Sequence, residues 1–65
     1  MIQETWVGDV PENDKEVLLK WLLKRNMTVG DTMGDYIQLP NGNKYNFSIF
    51  KESEQNYEVT FQRSC

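Results

Sequence analysis

The chain has 65 residues, a net charge of −3 and 12% aromatic residues, which predicts one small folded domain spanning 1–65. Its seven Lys and Arg residues are spread along the sequence, so no basic patch is available for a nucleic-acid backbone. The start of the chain lacks a basic segment and a long apolar run, which excludes a signal peptide or membrane span there. We therefore expect a cytoplasmic chain with no membrane partner.

The first predicted strand is Ile2–Val7. Its alternation puts Ile2 and Trp6 on one side and Thr5 and Val7 on the other. Apolar character on both sides predicts a strand with neighbours rather than a bare sheet edge.

A helix is predicted over Glu12–Asn26, because apolar residues recur there with helical spacing. Asn13 is the predicted N-cap, with Glu16 completing a capping box, and Asn26 is the predicted left-handed stop. The broad apolar face predicted to be buried comprises Val17, Leu18, Leu19, Trp21, Leu22 and Leu23.

The next segment is punctuated by glycine. Thr28 and Val29 form at most a short strand, and Gly30–Asp35 is interpreted as a connecting loop with glycines at left-handed positions. It lacks the ligand spacing of a calcium loop and the Lys-Ser/Thr of a phosphate-binding loop.

A hairpin is predicted after the strand Asp35–Leu39. A two-residue Asn-Gly loop would send the aromatic residues of the next strand to the wrong face. A three-residue loop, Pro40 to Gly42, pairs Ile37 with Tyr45 and suits the backbone preferences of proline and glycine. We therefore predict the three-residue loop.

The last two predicted strands, Lys44–Lys51 and Tyr57–Gln62, both alternate strictly. Matching their apolar faces predicts that Ile49 pairs with Tyr57, around a polar loop centred on Ser53.

These elements predict an α+β, two-layer domain in which one helix packs on one face of a small, mostly antiparallel sheet, in the order β-α-(β)-β-β-β. The helix-covered face is expected to carry Ile37, Tyr45, Phe47, Ile49, Tyr57, Val59 and Phe61.

No catalytic, cofactor or metal motif is apparent in the sequence. There is no histidine, the commonest general base and metal ligand. Cys65 has no base near it in sequence, and a lone cysteine forms no internal disulfide. We expect a chain that is not an enzyme and needs no cofactor or metal.

The other face of the sheet is the predicted interaction surface. Two of its positions, Tyr36 and Phe50, are aromatic although the alternation does not require it. With Gln38 and Glu58 they form the predicted partner-binding set, although isolated surface aromatic residues also occur without a function.

Three functional hypotheses follow. The first is a small protein-binding module, such as an inhibitor, adaptor or regulatory subunit of phage or mobile-element origin, using the open face or an edge strand, with a homodimer through an edge strand included. The second is a single-stranded nucleic-acid platform, which the acidity disfavours. The third is a structural subunit of a larger assembly.

Overall fold

Across residues 1–64, which this computed structural model describes, one helix and four strands form two layers. The elements are β1 (Ile2–Val7), α1 (Glu12–Leu23), β2 (Thr32–Gln38), β3 (Lys44–Ser53) and β4 (Asn56–Ser64). The sheet order is β1-β4-β3-β2, with β1 parallel to β4 and the other two pairs antiparallel. The predicted α+β, two-layer fold is confirmed.

Both ends of α1 differ from the sequence prediction. The helix begins after Pro11, which has no side-chain acceptor to offer and instead receives the Lys15 N–H on its carbonyl oxygen at 3.1 Å. Asn13 therefore lies inside the first turn, and the predicted capping box is wrong. At the other end the helix stops at Leu23. The N–H groups of Lys24 and Arg25 donate to the carbonyl oxygens three residues before them, and this tighter turn ends the helix before Asn26.

The buried stripe of α1 is narrower than predicted. Leu18 and Leu22 are buried, whereas Val17 and Leu23 are 45% and 67% exposed. The residue four positions before Leu18 continues the stripe, and it is Asp14, only 2% exposed. A carboxylate thus takes the place where a purely apolar face would have been expected.

The hairpin between β2 and β3 has the predicted geometry. The Leu39 N–H donates to the Asn43 carbonyl at 2.8 Å, and Ile37 is the cross-strand partner of Tyr45. Gly42 has φ = 93°, the left-handed conformation that glycine adopts without steric cost. The three-residue loop is confirmed.

The predicted register of β3 and β4 is wrong by two residues. Ile49 pairs with Val59, and Tyr57 pairs with Lys51. The turn is shorter than predicted, with a register irregularity between Lys51 and Ser53. Because side chains alternate with a period of two, a two-residue slip leaves every side chain on its predicted face.

The segment before β2 carries no strand at Thr28 and Val29, contrary to the suggested short strand. Instead β2 begins three residues earlier than predicted, since Thr32 and Met33 pair with Phe50 and Ile49. The last four of the six residues of Gly30–Asp35 are therefore strand rather than loop.

The core lies between α1 and the sheet. Trp21 meets the Phe47 ring edge-on at 4.8 Å, and Trp6 stacks on Phe61 at 4.9 Å. The buried apolar residues are Leu18, Leu22, Met27, Leu39, Tyr45, Phe47, Ile49, Val59 and Phe61. Every residue predicted for the helix-covered face is buried or half-buried. Within the described part of the chain, α1 is too short and too polar to cross a membrane.

The first strand is an edge strand. It pairs with β4 on one side, and no other strand among residues 1–64 lies on its outer side. The expectation that Ile2–Val7 has strands on both sides is therefore wrong for the single chain.

Candidate functional site

The face of the sheet opposite α1 is uncovered, and cross-strand pairing arranges its side chains in transverse rows. One row runs Tyr36, Asn46, Gln62, Val7, the next runs Gly34, Ser48, Thr60, Thr5, and the third runs Thr32, Phe50, Glu58, Gln3. All twelve positions are exposed. We call this surface the open face. Its existence was predicted, but the contribution of β1 was not, because the sequence did not place that strand.

The four predicted partner-binding residues all lie on the open face, in two groups. Tyr36 and Gln38 are on β2, with Tyr36 opposite Asn46. Phe50 and Glu58 are direct cross-strand partners on β3 and β4. Asn46 and Phe50 are four positions apart along β3, so the two aromatic residues are about 14 Å apart.

A shallow depression lies between the two aromatic residues. It has a volume of about 150 Å³ and is lined by Asn46, Phe47, Ser48, Thr60 and Gln62. Small side chains and Gly34 form the middle row, while Tyr36 and Phe50 stand on either side of it, 65% and 37% exposed. The open face therefore presents two aromatic projections around a polar trough.

The open face is also poor in charge. Glu58 is the one charged residue in the three rows, although 26% of the chain is charged. Neutral amide and hydroxyl groups fill most other positions. Charge depletion with exposed aromatic residues is typical of the centre of a protein–protein interface.

A second polar cluster, which the sequence did not predict, surrounds the buried Asp14 carboxylate. Its Oδ1 accepts a hydrogen bond from Asn41 Nδ2 at 2.8 Å, and its Oδ2 accepts one from Asn43 Nδ2 at 2.7 Å. The Tyr45 hydroxyl also donates to Oδ2. The cluster joins the first turn of α1 to the β2–β3 hairpin, so it fixes the loop against the helix.

These hydrogen bonds shift the pKa values of Asp14 and Tyr45 in opposite directions. The Tyr45 hydroxyl bond, followed by that of Asn43, lowers the pKa of Asp14 below its ordinary value of 3.8. Burial, followed by the bond to Asp14, raises the pKa of Tyr45 to about 12. The cluster therefore holds an ionised carboxylate beside a neutral phenol over the physiological pH range.

Alkaline pH is expected to unfold the domain through Tyr45. Its pKa is raised on folding, so the stabilisation is complete below the ordinary value of 10.0 and is lost as pH rises toward about 12. The ultraviolet absorbance of tyrosinate should show Tyr45 ionising well above the ordinary tyrosine pKa of 10.0. Tyr45→Phe should abolish this high-pH step, and ionisation of Tyr45 near 10.0 without unfolding would contradict its buried assignment.

The Asp14 cluster has the features of a structural network rather than a reaction centre. The carboxylate oxygens are occupied by three donors from the chain itself. Arg63 extends the network by donating to Asn43 Oδ1 at 3.0 Å and to the Asp9 carbonyl at 2.9 Å. The signal in the sequence was the position of Asp14, four residues before Leu18 and eight before Leu22. It becomes visible only once that stripe is known to be the buried one.

Two other polar features are also explained by local contacts. The Asp31 carboxylate accepts the Thr28 N–H at 3.1 Å, which closes the loop before β2. Lys51, buried on the helix-covered face, donates to the Met27 carbonyl at 2.9 Å. Neither is a ligand site. No group of three or more potential metal ligands occurs among residues 1–64, and the predictions for Cys65 lie outside the described residues.

No protein-family model matches the chain, and comparisons with curated proteins and with solved structures give no match. The open face and the edges of the sheet are therefore the features of this chain that bear on its function.

Proposed function

We propose that this chain is a small, cytoplasmic, non-enzymatic protein-binding module that contacts its partner through the open face. The observation that carries the proposal is the exposure of Tyr36, 65%, on a face where the core does not need it. An aromatic side chain left in water is a favourable anchor, because burying it on binding removes a large apolar area.

The composition of the open face supports a protein partner over a nucleic acid. Single-stranded nucleic acid requires a basic track beside the stacking residues. On this face Lys44, the cross-strand partner of Gln38, is accompanied by the acidic Glu58. The partner surface that fits best is itself uncharged and rich in hydrogen-bonding groups, with a recess for an aromatic ring. An inhibitor, adaptor or regulatory subunit has these requirements.

The spacing of the two aromatic residues gives the proposal a geometric consequence. Tyr36 and Phe50 lie on opposite sides of the Ser48–Thr60 trough. A partner that contacts both must therefore cover the trough and exclude water from it. Substituting both aromatic residues should consequently weaken binding more than substituting either one.

The test is affinity capture from a lysate of the source cell with the wild-type chain and two matched variants. Tyr36→Ala/Phe50→Ala removes both anchors of the open face. Val17→Ala/Leu23→Ala removes two exposed apolar side chains from the outer surface of α1. Both variants are first checked for wild-type circular dichroism and thermal unfolding.

A partner protein should be captured in stoichiometric amount by the wild type and the helix variant, and at least about tenfold less by the open-face variant. Replacing Tyr36 with a photo-cross-linking phenylalanine should then attach that same protein covalently. Loss of the partner in the helix variant instead would place the site on α1. Recovery that depends on nucleic acid, shown by nuclease treatment, would replace the proposal with the nucleic-acid hypothesis.

A further inference from the structure

Within residues 1–64, the backbone groups on the outer edge of β1 have no strand partner. The Tyr57 N–H donates to the Met1 carbonyl at 3.0 Å, which sets the phase of the parallel β1–β4 ladder. Backbone groups of the odd-numbered residues therefore face β4, and those of Ile2, Glu4 and Trp6 face outward. An edge of this kind is a template for another strand.

The opposite edge, β2, is protected in a way that β1 is not. The Leu39 bond to Asn43 sets the phase of the β2–β3 ladder, so the N–H of Tyr36 faces outward. The Asp35 carboxylate of the same strand accepts that N–H at 2.8 Å. A charged side chain that occupies an outward donor discourages pairing at that edge. The structure therefore distinguishes the two edges.

The side chains of β1 suit a paired strand. Trp6 and Ile2 are half-buried on the helix side, and Val7 is on the open face. The single charge, Glu4, already accepts the Trp6 indole N–H at 3.0 Å. Apolar residues on both sides of β1 were the reason to predict neighbouring strands for it. Within residues 1–64 of one chain, β4 is its one strand neighbour.

We propose that two copies of this chain associate through β1, antiparallel, with the two-fold axis at Thr5. The outward backbone groups of Glu4 in one protomer then pair with those of Trp6 in its partner, and Gln3 lies opposite Val7. The two sheets become one continuous eight-stranded sheet. Because the axis is perpendicular to the sheet, both helices lie on the same side.

Register complementarity selects Thr5 as the centre. An axis at Glu4 would place the two Glu4 carboxylates directly opposite each other, which is unfavourable. An axis at Gln3 would shorten the overlap to the first five residues. The axis at Thr5 places Thr5 opposite its copy, a favourable cross-strand pair, and places Glu4 opposite Trp6 rather than opposite another carboxylate.

Dimerisation would also increase the surface that this small domain buries. A chain this short buries only about 60% of the surface exposed by its unfolded state, and oligomerisation is a common way to add to that burial. The dimer does not rest on the proposed function, because it uses the backbone edge of β1 and leaves both open faces uncovered. Its failure would leave the open-face proposal intact.

The first experiment measures the mass of the purified chain by light scattering after gel filtration, over a micromolar to millimolar concentration range. We expect a transition from 7.7 kDa to twice that mass. Glu4→Pro removes an outward N–H and the carboxylate that accepts the Trp6 indole N–H. It keeps the β4 ladder, so this variant should stay monomeric and folded. Gln38→Pro makes the equivalent change at the β2 edge and should still dimerise.

The second experiment tests the register without perturbing the backbone. In a Cys65→Ser background, Thr5→Cys places two thiols at a non-hydrogen-bonded pair, where Cα atoms are about 4.5 Å apart and a disulfide can form. Gln3→Cys places them more than about 10 Å apart. Mild oxidation should therefore cross-link the first variant and not the second.

The proposal is overturned by a monomeric mass at every concentration, or by a dimer that Gln38→Pro disrupts and Glu4→Pro does not. Cross-linking of Gln3→Cys in preference to Thr5→Cys would overturn the register. If Glu4→Pro alters the circular dichroism, the cysteine pair decides the question by itself.

Discussion

Replacing Asp14 with alanine is expected to lower the Tm of the domain by more than about 10 °C, a large effect for a chain of this size. The substitution removes the acceptor shared by three donors, on the exposed Asn41, the half-buried Asn43 and the buried Tyr45. Donors left without a partner in the interior keep their full desolvation cost. The hairpin would also lose its attachment to α1. Thermal unfolding followed by circular dichroism measures the effect.

Asn13 provides the matched control. It is exposed and lies one residue away, and the sequence predicted it to be the N-cap. If it capped the helix, Asn13→Ala would cost about 1 kcal/mol. Because the helix starts after Pro11 instead, we expect a change within about 0.5 kcal/mol. A large loss at Asn13 with a small one at Asp14 would restore the predicted cap and contradict the cluster.

The same cluster predicts an acid dependence. The pKa of Asp14 is lowered in the folded state, first by the Tyr45 hydroxyl. Its stabilisation is therefore present above the ordinary carboxyl pKa and is lost as pH falls through the lowered value. Tyr45→Phe removes the principal cause, so stability should decline less steeply below pH 3.8 in this variant. Denaturant unfolding at a series of acidic pH values provides the comparison.

Phe61→Ala is expected to destabilise the domain by about 3–5 kcal/mol. Phe61 is fully buried, stacks on Trp6 with an interplanar angle of 15°, and lies 6.3 Å from the Phe47 ring. Its removal leaves a cavity between β1, β3 and α1. For 65 residues, the usual stability of roughly 0.05–0.15 kcal/mol per residue amounts to about 3–10 kcal/mol, so this substitution should remove a large fraction of the stability of the domain. Urea denaturation of the wild type and the variant measures the loss.

Phe50 is the matched control on the opposite side of the same sheet. Its ring is 37% exposed on the open face, so Phe50→Ala is expected to cost no more than about 1 kcal/mol. The contrast between the two phenylalanines tests which face is the core. A loss of several kcal/mol at Phe50 would mean that the open face is packed against something in solution, and the two aromatic anchors would then be structural.

The proposed dimer and the proposed binding surface are compatible. Joining two protomers at β1 brings Val7 of one open face beside Gln3 of the other. Tyr36, on the far edge strand of each protomer, stays accessible. A dimer would therefore present two copies of the binding surface on one side of the sheet and both helices on the other.

The alternation of apolar and polar residues was enough to assign most side chains to a face. Tyr45, Phe47 and Ile49 were placed on the helix-covered side, and all three are buried. This assignment survived the two-residue error in the β3–β4 register, because the side-chain period of a strand is two. The same alternation also predicted the three-residue hairpin loop correctly, because a two-residue loop would have turned the aromatic residues of β3 to the other face.

These local patterns could not predict contacts between residues that are distant in sequence. The capping prediction for Asn13 used only local preferences, whereas its neighbour Asp14 is held by donors on the hairpin, 27 and 29 residues further along the chain. Likewise, the extension of β2 back to Thr32 depends on pairing with Phe50. Local propensity is overridden when a long-range contact supplies more free energy.

The element order, the two faces of the sheet and the hairpin could be predicted from the amino-acid sequence, since each depends on the periodicity or turn chemistry of a few adjacent residues. The β3–β4 register, the buried Asp14 cluster and the position of β1 became known from the folded chain. These features depend on which distant segments meet. Only the complete sheet shows that β1 lies at an edge with unpaired backbone groups, and that Tyr36 and Phe50 project from one open face.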